Sequence, residues 1–259
     1  MSAVLKLPPA YTLVALDEVD STTEEARRRA EAGAAPGTLV WARSQRRGRG
    51  RRGRVWWSPP GNLYCSALLR PNAPLTEAVK LSFVAGLAVG EALSTLLPGG
   101  VRIGHKWPND VFVGGRKAAG ILLQSVGLGG DHDWLIVGVG INVASHPLDL
   151  AYAATSLRAE GSDATVEQTL EAYVWRLERW LERWRREGFA PVREAWLARA
   201  EGLGGPIEVR LGDETLSGAF ADLDHSGALI VQLKGGGRRA ISAGEVFLRP
   251  RAGPENRVQ

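Results

Sequence analysis

Apolar and polar side chains alternate loosely over residues 11–19 (YTLVALDEV), the period of two that marks a β-strand. Ser21-Thr22-Thr23-Glu24 follows in the S-x-x-E form of a capping box, predicting a helix that runs to about Ala32 and stops at Gly33. Residues 38–42 predict a second strand that feeds an arginine-rich loop, and residues 62–69 alternate again as a third. Between 75 and 97, apolar residues at helical spacing (Val79, Phe83, Leu87, Ala88) predict one long buried helix. The pattern then returns to strands at 101–107, 111–113, 119–126 and 134–143, separated by Pro108-Asn109-Asp110, Gly114-Gly115 and residues 127–133. Such short connections join antiparallel neighbours, because a parallel crossover takes a dozen or more residues. Residues 166–187 carry Leu170, Val174, Leu177, Leu181 and Trp184 at alternating spacings of four and three, the stripe of an amphipathic helix.

The sum is an α+β fold: a mixed, largely antiparallel sheet with helices packed on one side. After a glycine-rich break, EGLGGP at 201–206, short strands at 207–211, 215–223, 229–233 and 239–241 are joined by Gly-rich turns. They predict a small barrel-like β domain. The boundary falls near Gly204, dividing the chain into units of residues 1–203 and 204–259.

Charge changes this picture at one place. The chain has 32 Lys+Arg against 28 Asp+Glu, a net charge of +4. Seven arginines (Arg43, Arg46, Arg47, Arg49, Arg51, Arg52, Arg54) lie in one stretch without an acidic residue; without them 25 basic residues face 28 acidic ones. The excess is therefore a local anion site rather than the uniform basicity of a polyanion binder. Seven like charges so close repel one another, which predicts a loop that is mobile until anions neutralise it. A single cysteine, Cys65, excludes an intramolecular disulfide and a multi-cysteine metal cluster. The N-terminus lacks the apolar core of a secretory signal, and Gly86, Gly90 and Glu91 interrupt the most apolar stretch. A soluble, cytoplasmic protein without a membrane span is the expectation.

Four segments have residue types suited to chemistry. In Gly48-Arg49-Gly50-Arg51-Arg52-Gly53-Arg54, glycines let backbone amides approach a ligand while guanidinium groups pair with phosphate or carboxylate oxygens. A solvated basic loop is the plain alternative, but apolar strand-like segments and Val55-Trp56-Trp57 bracket this one, placing it at a pocket edge. Lys106-Trp107-Pro108-Asn109-Asp110 puts a cation at the end of an apolar strand beside a turn; alone, it reads more readily as an edge-strand charge next to an ordinary turn. Gly138-Val139-Gly140-Ile141-Asn142 places glycines within a strand, where some other group approaches closely, a packed side chain more often than a ligand ring. Hydroxyls at Ser21, Thr22 and Thr23 open a helix, and capping alone accounts for Ser21. His105, His132, His146 and His225 show no metal-ligand spacing.

Taken in order, these segments carry more than any does alone. S-T-T at 21–23, Gln45 four residues ahead of Arg49, GRGRRGR, KWPND, K-x-A-G-I-L from Lys117 to Leu122, and G-x-G-I-N succeed one another along the chain. That succession resembles the biotin–protein ligase family (biotin–[acetyl-CoA-carboxylase] ligase) over nearly the whole length. The resemblance implies that family's class II synthetase-like catalytic fold followed by a small SH3-like β-barrel. It implies an enzyme that joins biotin to ATP, supplied with Mg²⁺, as biotinyl-5′-AMP, and passes the biotinyl group to a lysine of a biotin carboxyl carrier protein. It also implies site roles. Ser21, Thr22, Thr23 and Gln45 would meet the ureido end of biotin. Arg49, Gly50 and Arg51 would fold over the biotin carboxylate and α-phosphate, with Lys106 beside them as the catalytic cations. Trp56, Asn109, Lys117 and Asn142 would lie near the nucleotide, and no protein metal site is implied.

Departures from the family pattern are Thr23 in place of an asparagine, Arg46-Arg47 ahead of GRGR, and Gln124 in place of a glutamate. About ten residues precede the first strand, too few for a helix-turn-helix, so no DNA partner is expected. A homodimer paired through exposed sheet edges fits such a fold. The rival readings are a lipoate–protein ligase, which shares the fold and adenylate chemistry, and a nucleic-acid-binding module using the arginine loop. The second leaves KWPND and G-x-G-I-N without a role.

Overall fold

The computed structural model describes residues 5–127, 134–148, 152–212 and 214–248. Its first sheet has seven strands: β1 (Thr12–Val19), β2 (Thr38–Gln45), β3 (Leu63–Leu69), β4 (Ile103–Lys106), β5 (Asp110–Val113), β6 (Arg116–Val126) and β7 (Trp134–Ile141). They lie in the order β1-β2-β3-β7-β6-β5-β4. Only β1 and β2 are parallel, joined by the crossover helix α1 (Thr22–Glu31); every other pairing is antiparallel, as the short connections require. The turn expected at 127–133 lies mostly outside the described residues, as does His132.

Period-two alternation sorts the central strands into two faces. Leu39 and Trp41 of β2, Leu63, Cys65 and Ala67 of β3, and Val137 and Val139 of β7 belong to the main core. This core also takes in α3 (Leu81–Leu96), α4 (Val166–Glu187) and α5 (Ala190–Leu197). On the opposite face, Val40, Leu68 and Ile136 pack against Ala26 and Ala30 of α1. Helices therefore cover both faces, not one: the crossover from β1 to a parallel β2 carries α1 to the side opposite the others. That arrangement leaves the rest of the second face for a site.

The long helix expected over 75–97 is interrupted. One turn, α2 (Leu75–Ala78), precedes α3, which begins at Leu81 after a two-residue break. Taken together, Thr76–Leu96 is apolar enough by composition to cross a membrane, but two thirds of it is buried in protein, and α3 is a core helix. α4 follows its predicted stripe: Leu170, Tyr173, Val174, Leu177, Trp180, Leu181 and Trp184 are all buried. Its start is fixed by a reciprocal capping box: Thr165 Oγ1 accepts from the Gln168 amide, and Gln168 Oε1 accepts from that of Thr165. The capping box expected at Ser21 does not form. Ser21 occupies the N-cap position without a side-chain bond, and the Thr22 amide donates instead to Gln45 Oε1 at 2.8 Å.

The C-terminal unit is a five-stranded antiparallel sheet with one strand more than the pattern predicted. β8 (Pro206–Leu211), β9 (Glu214–Leu223), β10 (Leu229–Leu233), β11 (Arg238–Ile241) and β12 (Glu245–Leu248) stand in the order β11-β10-β9-β8-β12. β12 escaped prediction because it is only four residues long, and Val246-Phe247-Leu248 is a continuous apolar run without alternation. This sheet shares its core with the first unit. Phe220 packs on Trp196, Gly227 lies against Phe83 and Phe189, and Trp107 Nε1 donates to the Gly227 carbonyl at 3.1 Å. Between the units, residues 199–201 run beside the edge strand β4: the His105 amide donates to Arg199 O and the Glu201 amide to His105 O, both at 2.8 Å.

His105 is consequently enclosed, stacked on Trp196, with neither ring nitrogen bonded to any described residue. Burial, with Arg199 adding repulsion, lowers its pKa to about 3. The unfolded chain binds a proton near pH 6.5 that the folded chain refuses, so stability falls as pH drops from 6.5 toward 3. We expect the parent protein to lose roughly 3 kcal/mol from this group between pH 6.5 and 4. His105→Leu should remove that share of the pH dependence in urea-unfolding midpoints; an identical pH dependence in both proteins would contradict the assignment.

Candidate active site

The open part of the second sheet face is floored by bare backbone. β6 and β7 pair so that Gly120 lies opposite Gly140 and Leu122 opposite Gly138. The Trp56 indole lies across the first pair: a Cβ on Gly140 would meet its Cε2 and Nε1 at 2.5 Å, and one on Gly120 its Cζ3 at 3.0 Å. A Cβ on Gly138 would meet Thr23 Oγ1 at 2.8 Å. The strand glycines thus receive packed side chains, and these side chains belong to the motifs singled out above. A cavity of about 500 Å³ opens above this floor.

One end of the cavity is hydroxylic. Thr22 and Thr23, at the start of α1, and Gln45, at the end of β2, line it. Gln45 Oε1 accepts from both the amide and the hydroxyl of Thr22, while its Nε2 donates to Ser58 Oγ at 2.9 Å. Ser58 in turn donates to the Trp56 carbonyl at 2.8 Å, tying this end to the indole over the glycines. Gly48 sits tightly among Gln45, Trp56 and Ser58, where a Cβ would overlap the Trp56 carbonyl, so the first glycine of the arginine loop has a packing reason.

The other end is cationic. Lys106, the last residue of β4, lines the cavity and makes no ion pair or hydrogen bond with any described residue; its ammonium lies 5.9 Å from the centre of the Phe112 ring. Burial pushes its ammonium below the usual lysine range, and the field of Asp110 opposes that shift. Arg51 donates to Asn109 Oδ1 at 3.2 Å, and Asn109 Nδ2 donates to the Ile121 carbonyl at 2.6 Å, so the KWPND turn braces the arginine loop. Burial, then the neighbouring Arg52, also lowers the Arg51 guanidinium from its ordinary value, which leaves it cationic at neutral pH. Lys117 pairs with Asp110 at 2.7 Å and lies between the Trp56 and Tyr152 rings, 5.4 and 5.2 Å from their centroids.

The self-repulsion expected of the arginine loop is offset by carboxylates from other segments. Arg49 pairs with Glu24 at 2.7 Å, and Arg54 makes a two-pronged contact with Glu245 of β12 at 2.6 and 2.5 Å. Arg46 lies 3.5 Å from Glu18, and Arg43 lies 3.4 Å from Asp17. Lys106, Arg51 and the more exposed Arg52 are the cavity cations that no described carboxylate neutralises within 4 Å.

Ten of the twelve residues singled out from the sequence line this cavity: Thr22, Thr23, Gln45, Arg49, Gly50, Arg51, Trp56, Lys106, Asn109 and Lys117. Two do not. Ser21 is buried behind the helix start. Asn142 is buried as well, with its Nδ2 bonded to the Thr155 carbonyl at 2.9 Å, so it braces the loop after β7 instead of facing the cavity. Residues that sequence reasoning missed come from distant segments: Tyr152, and from the C-terminal unit Arg210, Glu245 and Phe247. Nothing in a local motif points to them, since their role follows from how the two units pack. Among the described residues, no group of three or more His, Cys, Asp or Glu side chains is placed to hold a metal ion.

A mixed sheet with a glycine-floored, cation-lined cavity, closed at one side by a small β unit, is the plan of a cofactor–protein ligase. Residues 7–198 match the Biotin/lipoate A/B protein ligase family, and residues 202–249 match the Biotin protein ligase C terminal domain. The chain is 42% identical over 240 residues to the biotin–[acetyl-CoA-carboxylase] ligase of Paracoccus denitrificans, covering 90% of this chain and 98% of that one. It is 32% identical to the bifunctional ligase/repressor BirA of Bacillus subtilis, over 89% of this chain and 72% of that protein. The solved structure of the Aquifex aeolicus biotin protein ligase in complex with biotin and ATP superposes with a TM-score of 0.78 at 33% identity, over 93% and 99% of the two chains. This chain belongs to the biotin protein ligase family.

The glycine floor makes a direct prediction. Gly140→Ala should force the Trp56 indole to move and lower stability by about 1–3 kcal/mol in urea unfolding. Gly99→Ala, where an added Cβ would meet nothing within 4 Å, should leave the midpoint in place.

Proposed function

We propose that this protein activates biotin with ATP to biotinyl-5′-AMP and then transfers the biotinyl group to one lysine of a biotin carboxyl carrier domain. The observation that carries the reading is one cavity with a hydroxyl-rich end, Thr22, Thr23 and Gln45, and an un-neutralised cationic end, Lys106 and Arg51. A compact polar ring suits the first end. A carboxylate meeting a phosphate suits the second.

In the first step a biotin carboxylate oxygen bonds to the α-phosphorus of ATP and the bond to the leaving pyrophosphate breaks. Two anions must approach, so fixed positive charge lowers the barrier most where charge builds on the phosphorus. Lys106 and Arg51 supply it from rigid positions, the end of a strand and a guanidinium braced by Asn109. Arg49 and Gly50 fold over the same atoms, and Trp56, Lys117 and Asn109 face the nucleotide. Magnesium enters with ATP, held by phosphate oxygens and water as part of the substrate. In the second step the neutral amine of the acceptor lysine attacks the biotinyl carbonyl; AMP leaves with the bonding pair and the amine loses its proton to solvent. The mixed anhydride is already activated, so the second step needs no paired base and nucleophile from the protein. A match to the biotin-specific C-terminal domain favours biotin over lipoate.

Lys106→Ala and Arg51→Ala should each lower biotinyl-5′-AMP synthesis by about 10²–10³-fold with unfolding midpoints near that of the parent. Near-normal synthesis by either folded variant would overturn the assignment.

A further inference from the structure

Ser66 of β3 is fully buried and does not line the cavity, yet it contacts both threonines that do. We propose that Ser66 is a positioning residue that fixes the hydroxyl protons of Thr22 and Thr23. The two threonine hydroxyls then present only hydrogen-bond acceptors to the cavity and favour a ligand bearing N–H donors. The identity of that ligand, the cyclic urea of biotin, rests on the function proposed above.

The direction of every proton follows from groups that have no choice. A backbone N–H can only donate, so the Gln45 atom 2.8 Å from the Thr22 amide is its carbonyl oxygen. Its Nε2 then faces Ser58, and Ser58 gives its proton to a backbone carbonyl, that of Trp56, which can only accept. The Gln45 amide is therefore locked from both sides. Thr22 Oγ1 lies 3.2 Å from the same Gln45 oxygen. The proton between them is Thr22's, since an amide oxygen has none and two bare oxygens at that distance repel. Ser66 Oγ lies 2.9 Å from Thr22 Oγ1, and with Thr22's single proton already used, Ser66 donates. Thr23 Oγ1 lies 3.2 Å from Ser66 Oγ, and with Ser66's proton used, Thr23 donates. The relay runs Thr23 to Ser66 to Thr22 to Gln45, each bond polarising the next.

Only lone pairs of Thr22 and Thr23 remain for the cavity. A ring N–H is attracted there, whereas an ether-like oxygen in its place meets lone pairs and leaves buried acceptors unpaired, the kind of mismatch that discriminates strongly between near-isosteric ligands. Gly138 makes room for the cluster: a Cβ there would meet Thr23 Oγ1 at 2.8 Å and Ser66 Oγ at 3.5 Å. Thr23 is also the position at which this chain departs from the family's usual asparagine, so the relay explains how a threonine serves there.

The test compares biotin with the two cyclic carbamates in which either ring N–H is replaced by oxygen, using kcat/KM for adenylate formation by the full chain. The parent should prefer biotin over at least one carbamate by about 10²-fold or more. In Ser66→Ala the Thr23 proton is released to turn into the cavity and donate to the ring oxygen. The preference should shrink about tenfold, through KM for the biotin-site ligand and with KM for ATP unchanged. General structural damage would lower both ligands together and keep their ratio, so an unchanged ratio in folded Ser66→Ala overturns the relay. If that variant does not fold, Ser66→Cys, with its weaker S–H donor, should shift the ratio in the same direction, and an unchanged ratio in Ser66→Cys likewise overturns the relay. A parent that forms biotinyl-5′-AMP but shows no preference also overturns the relay alone. A parent that forms no biotinyl-5′-AMP overturns the biotin reading and this inference with it.

Discussion

The register of β6 against β7 is the constraint on which the site depends. It sets Gly120 beside Gly140 and puts Gly138 one alternate position along, so a patch of one sheet face carries no side chains. The other face of the same strands is filled by Ile121, Val137, Val139 and Ile141, which belong to the core under α3 and α4. A one-residue slip would exchange the two faces, exposing the core set and burying the glycines, so burial of the first face fixes the bareness of the second. On that bare patch rests the Trp56 indole, and through Ser58 and Gln45 the indole is tied to the start of α1. The arginine loop, closed between Gly48 and Trp56 by a 2.9 Å backbone bond, inherits its position from the same contact.

Electrostatics then divides the cations by work. A cation packed into a cavity without a counter-ion is held at a cost that the surrounding fold must offset, and Lys106 and Arg51 show that cost as pKa values displaced downward by burial. Three of the others are balanced, Arg49 by Glu24, Arg54 by Glu245 and Lys117 by Asp110, while Arg52 points its charge to the exposed rim. Most of these pairs are partly exposed, and each contributes little to stability. Their larger effect is geometric, because they keep neighbouring guanidinium groups from repelling Arg51 out of the cavity. The cavity is thereby left with free positive charge at one end.

Much of this was legible in local pattern because local pattern is set by burial. The strands on either side of the site and the stripe of α4 alternate with the periods that packing demands, and the glycine–arginine and KWPND segments announced a cationic pocket by residue type. The signals that misled were those with two physical readings. Ser21-Thr22-Thr23-Glu24 has the form of a capping box, but Glu24 is drawn to Arg27 and Arg49 and the cap is supplied across the sheet by Gln45. Asn142 shares the parity of the floor glycines, but it lies past the end of β7, and its bond to the Thr155 carbonyl turns it away from the cavity. Glu245 and Tyr152 were invisible because long-range packing, not neighbours in sequence, brings them to the rim.

That long-range packing makes the two units one machine. The strand that ends in Lys106 would be an open sheet edge were it not covered by residues 199–201, the segment leading into the C-terminal sheet. His105, adjacent to Lys106, is sealed by this cover, and the next residue, Trp107, is anchored to the Gly227 carbonyl of the turn between β9 and β10. Three consecutive residues thus have three tasks: one faces the interunit junction, one the cavity, one the second unit. Displacing the C-terminal sheet would unseat Trp107, open the edge of β4 and release Arg54 from Glu245, so Lys106 and the arginine loop lose their support from both sides at once. The C-terminal unit is in this sense a wall of the cavity, bracing Lys106 through Trp107 and the arginine loop through Glu245.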